Sequence, residues 1–113
     1  MRPHPIALVS LLCVPLAAQH APKLLFNGVD LQGWHGQRHF SPYKLASMDE
    51  AAREKLRAED DATVREHWSV QDGELVNDGH GAFLTTDKDY GDAVFTLEYR
   101  TVAKADSGIY LRG

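Results

Sequence analysis

The sequence predicts a mainly β protein, a sandwich or jelly roll of short strands carrying one surface helix. Three observations point there. Short alternating segments from 68 to the last residue are separated by Gly-containing turns. One stretch, 47–66, is rich in Ala, Glu, Lys, Leu and Arg instead. The single cysteine, Cys13, lies in the N-terminal apolar segment, so a fold begun after it rests on packing without disulfides.

The first segment sets the compartment. Arg2, an apolar run from Ile6 to Ala18 and then small residues have the order of a secretory signal peptide, assigned to 1–21. The run is shorter than the ~20 residues a membrane span needs, so no membrane anchor is expected. Leu12 before Cys13 is unlike a lipid-attachment site. A secreted or periplasmic location follows as an expectation. Losing Arg2, one of 12 basic residues set against 16 acidic ones, would take the net charge from −4 to −5. That balance argues against nucleic acid, which needs clustered Lys and Arg. A neutral small molecule suits the chain better.

The segment 22–113 opens with "PKLLFNGVDLQGWHG". Asn27-Gly28 and Gly33 are turn signals, with Leu24, Leu25, Phe26, Leu31 and Trp34 as apolar anchors, and short strands are expected around them. For the helix, Ser47 and Glu50 form a capping box. Asp49 with Arg53 and Asp61 with Arg65 are acid-to-base pairs four apart. Its apolar stripe, Met48, Ala52 and Leu56, is thin, as for a helix lying on a surface.

Asp72-Gly73 then joins strands Trp68–Gln71 and Glu74–Asn77 in a hairpin. A turn at 78–81 leads to a strand at 82–85. Residues 93–101 alternate, with Phe95, Leu97 and Tyr99 on one side and Val94, Thr96, Glu98 and Arg100 on the other. Residues 107–113 form the last expected strand, with Ile109 and Leu111 on one side and Tyr110 and Arg112 on the other. Pairing Tyr99 with Ile109, Leu97 with Leu111 and Glu98 with Tyr110 keeps both apolar sets together. That register gathers Glu98, Arg100, Tyr110 and Arg112 on one polar face. The face is either solvated, with cross-strand ion pairs of ~0.2–1 kcal/mol each, or the sugar-facing side of a sandwich, where Arg donors and a carboxylate meet hydroxyls.

No metal or cofactor motif is present. His35 and His39 have a four-residue spacing but sit around Gly36, where a loop is expected. The 87–92 segment lacks glycine at the sixth position of a calcium loop. No G-x-S-x-G elbow occurs.

"LFNGVDLQGW", "HWSVQDGELVNDGHGAFLTTDKDYGDAVFTLEYR" and "DSGIYLRG" together resemble the N-terminal half of the 3-keto-disaccharide hydrolase domain family. Each motif alone is weak; in this order they are specific. The resemblance implies a concanavalin A-like jelly roll, acting without a cofactor on glycosides oxidised at C3. It implies Glu98 or Asp106 as the catalytic carboxylate, and Arg100, Tyr110 and Arg112 as substrate-binding residues. It also implies further strands beyond Gly113. A chain without them is expected to be a fragment, unstable and inactive alone. A non-catalytic carbohydrate-binding module is the alternative function.

Overall fold

The computed structural model describes residues 22–111. The signal-peptide assignment at 1–21 and Arg112 lie outside them. Six elements follow in order: β1 (Trp34–Gln37), α1 (Pro42–Ser47), α2 (Glu50–His67), β2 (Trp68–Gln71), β3 (Glu74–Asn77) and β4 (Phe83–Thr86). The strands pair as two antiparallel two-stranded sheets, β1 with β4 and β2 with β3.

The β2–β3 hairpin is the one read from Asp72-Gly73. Both residues have positive φ, 52° and 77°, as the tightest hairpin turn requires. The Asn27-Gly28 signal does different work. Asn27 Oδ1 accepts from the N–H groups of Val29 and Asp30 at 2.8 and 2.9 Å, so the side chain itself makes the turn. Trp34 is then tied back by its indole N–H to the Leu25 carbonyl at 3.0 Å.

The helical region is longer and differently capped than its sequence suggests. Pro42 opens the short helix α1, which ends at Ser47. Ser47 therefore cannot cap α2. Asp49 does, its carboxylate accepting from the Ala52 N–H at 2.8 Å. Along α2 the covered face runs through Ala52, Leu56, Asp60, Thr63, Val64 and His67. This is one helical stripe, and its apolar character is thin because Asp60 occupies a central position.

That stripe packs on β1. Gly36 lies so close to α2 that a Cβ there would meet the Asp60 carbonyl oxygen at 2.4 Å and Val64 Cγ2 at 2.9 Å. Only a residue without a side chain allows this approach. Below it, the Thr63 hydroxyl donates to the Asp60 carbonyl (2.9 Å) and accepts the Ala82 N–H (3.0 Å), joining α2 to the start of β4. Val64 and Ala82 are the buried apolar residues of this small core.

The expected strands 93–101 and 107–113 do not form among the described residues. Residues 87–111 carry no strand, and the register pairing Tyr99 with Ile109 is absent. Phe95, Leu97, Tyr99, Ile109 and Leu111 are all exposed. The physical reason is the lack of a neighbour: a hairpin is marginal until a third strand or a packed face holds it. His35, expected in a loop, lies instead in β1.

Candidate functional site

Among the described residues, the structure separates Glu98, Arg100 and Tyr110, which the expected hairpin gathers. Glu98 and Asp106 are exposed in the non-regular segment. Arg100 turns away from Glu98 and pairs with Glu74 of β3, Nη2 to Oε2 at 2.6 Å. Both partners are solvated, so the pair contributes ~0–1 kcal/mol. Among the described candidates, Tyr110 reaches another conspicuous feature.

That feature is an open groove of about 400 Å³ between α2 and the β1–β4 sheet. Arg38, His39, Asp60, Thr63 and Phe83 are among its lining residues. It is positioned by register: Gln37 faces Phe83 across the sheet, so the residues just after β1 lie beside the first residue of β4. At its rim Tyr110 stacks on Phe83, with ring centroids 5.2 Å apart and planes inclined by 30°. His39 meets both rings edge-on, at 6.2 Å from Phe83 and 6.4 Å from Tyr110.

The polar floor is built on Asp60. Asp60 is 5% exposed, and its carboxylate accepts twice from Arg38, from the backbone N–H at 2.9 Å and from Nε at 2.8 Å. Arg38 Nη2 also donates to Glu59 at 2.9 Å. These two carboxylates, Asp60 foremost, hold the guanidinium still more firmly protonated than usual. Arg38 is thereby fixed in orientation, with N–H groups still to offer.

Two histidine–aspartate pairs flank the sheet. His35 Nδ1 lies 2.8 Å from Asp87 Oδ1, which also accepts from Arg57 Nη2 at 3.2 Å. His67 Nδ1 lies 2.8 Å from Asp78 Oδ2. The His67 hydrogen bond, with a further one from the His80 N–H, holds the Asp78 carboxyl below the usual carboxylate range. Among the described residues no cluster of His, Cys, Asp and Glu could hold a metal ion, and no helix is long and apolar enough to cross a membrane.

Sequence reading missed Arg38, Asp60 and the His39–Phe83 contact. A signal for Asp60 existed: it falls on the 52–56–60–64 helical stripe, where a carboxylate needs a partner. Nothing local marks Arg38 as that partner.

No curated protein and no solved structure shows significant similarity to the chain. The family model described as the 3-keto-alpha-glucoside-1,2-lyase-like domain matches residues 21–113. That match spans all the described elements and the Glu98, Arg100, Asp106, Tyr110 and Arg112 positions, and the chain belongs to this family.

Proposed function

We propose that this chain is part of an exported carbohydrate-active enzyme that cleaves 3-keto-glycosides, working in a concanavalin A-like jelly roll. The family match over 21–113 is the observation that carries the reading. The chemistry is self-consistent. A C3 ketone acidifies the C2 proton; a general base removes it, and the electrons form an enolate. The enolate collapses to a C1–C2 double bond, the C1–O bond breaks, and the leaving group takes a proton. Water added at C1 makes the net reaction a hydrolysis. Glu98 or Asp106 would be the base. Arg100, Tyr110 and Arg112 would bind substrate, an Arg countering enolate charge. No cofactor is needed, and no nucleic acid or membrane partner is invoked.

The test is release of the C1 substituent from a 3-keto-glucoside, followed with the 113-residue chain. Turnover, lost on Glu98→Gln or Asp106→Asn and reduced on Arg112→Ala, supports the reading. No turnover of any 3-keto-glycoside sinks it. The second reading is a binding module without catalysis. It is favoured by the aromatic groove, where the one carboxylate in the floor, Asp60, is committed to Arg38.

A further inference from the structure

We propose that the groove lined by Phe83 and His39, with Tyr110 stacked on Phe83 beside it, is a binding platform for the ring of a neutral pyranoside, with Arg38 as the hydroxyl-reading residue. The inference rests on the carbohydrate part of the proposed function and not on its reaction. Phe83 and Tyr110 stack on each other while remaining 42% and 64% exposed. Stacked rings left open to water present a flat apolar face beside a polar floor. A pyranose offers the complement: C–H groups on its faces and hydroxyls around its edge. Pockets of this kind combine aromatic walls with a few placed polar groups.

Charge decides the ligand class. The Arg38 guanidinium is already countered by Asp60 and Glu59. An anion entering the groove would meet two carboxylates for one guanidinium. A neutral polyol accepts from the remaining Arg38 N–H groups without that repulsion. Thr63 is not available, since its hydroxyl already joins Asp60 to Ala82. Arg38 and His39 are therefore the polar groups that read the ligand, and Phe83 and Tyr110 the surface it lies on. Arg38 is a specificity residue that no motif of the sequence singled out.

The experiment is an amide-shift titration of the 113-residue chain with methyl α-D-glucopyranoside, its 3-keto form, and inorganic phosphate. Saturable shifts at Gly81, Ala82 and Phe83 with either glucoside are expected, and weaker ones with phosphate. Tyr110→Ala should weaken binding about fivefold or more, and Tyr110→Phe should keep it, since the ring does the stacking. Phe83→Ala should weaken it similarly. Should that variant not fold, Phe83→Leu, which keeps an apolar side chain without the ring, should weaken binding likewise. Absence of saturable shifts with both glucosides overturns the proposal, as does unchanged affinity in Tyr110→Ala or tighter binding of phosphate than of sugar. Turnover measured on the same samples separates the two claims. Turnover without binding here overturns the platform alone. Binding here without turnover supports the platform while removing the reaction.

Discussion

Arg38 donates to both carboxylate oxygens of Asp60, one from its backbone and one from its side chain, so a strand end and a helix are fixed by a single buried acid. Asp60 is 5% exposed, yet its partner guanidinium reaches water. The carboxylate was brought into the core because its two acceptors meet donors aimed from β1. Removing it leaves the Arg38 backbone N–H without its acceptor and frees the guanidinium from α2. Asp60→Ala should cost ~1–3 kcal/mol, the range for losing hydrogen bonds to a charged group. Asp60→Asn, which keeps the shape, should cost less. The urea midpoint followed by Trp fluorescence checks both; equal midpoints for Asp60→Ala and the parent would mean that the pair does not hold β1 on α2.

Gly36 controls how near those two elements lie. A methyl group there would stand 2.4 Å from a backbone oxygen that cannot rotate away. Gly36→Ala should therefore destabilise by ~1–3 kcal/mol or more through overpacking. Gly91→Ala, where a Cβ meets nothing within 4 Å, is the control. Amide exchange of β1 reads the difference: faster exchange across 34–37 in Gly36→Ala, little change in Gly91→Ala.

Trp68 starts β2 and reaches across to β4, its indole N–H on the buried Ala82 carbonyl at 3.0 Å. Trp68→Phe keeps most of the apolar area and strips that donor. The cost should be ~1 kcal/mol, the worth of one such hydrogen bond. Trp34 remains as the fluorescent reporter in the variant. A midpoint unmoved by the change would show the hydrogen bond to be energetically idle.

The His67–Asp78 contact gives the acid limb. The Asp78 carboxyl is held below its ordinary range by the His67 hydrogen bond. A group with a lowered folded pKa stabilises the fold above its unfolded value and loses that contribution as pH falls through the folded one. The contact thus contributes fully above about pH 4 and fades below it. Carboxyl-carbon NMR should find Asp78 titrating below the ordinary aspartate value. In His67→Gln, the Asp78 carboxyl should titrate closer to the ordinary value.

Much of this protein was legible in its sequence. Asp72-Gly73 announced its hairpin because positive φ at two successive residues is a local demand. The helical composition of 47–66 announced α2, again locally, and the ordered motifs from Leu24 to Gly113 announced the family. The cap was misplaced because Pro42 starts an earlier helix that consumes Ser47. The alternation of 93–101 was read as a strand, but alternation records which sides could be buried, not whether a neighbour is present to bury them.

What only the tertiary structure decided is which distant residues meet. Asp60 finds Arg38 across 22 residues, and Tyr110 finds Phe83 rather than a hairpin partner. Local preference fixes turns, caps and helix faces, because those depend on neighbours in the chain. The groove depends on how β1, α2 and β4 pack, and the close approach at Gly36 sets that distance. The sequence by itself determined the β2–β3 hairpin, the helical stretch of α2 and the family; packing determined the site.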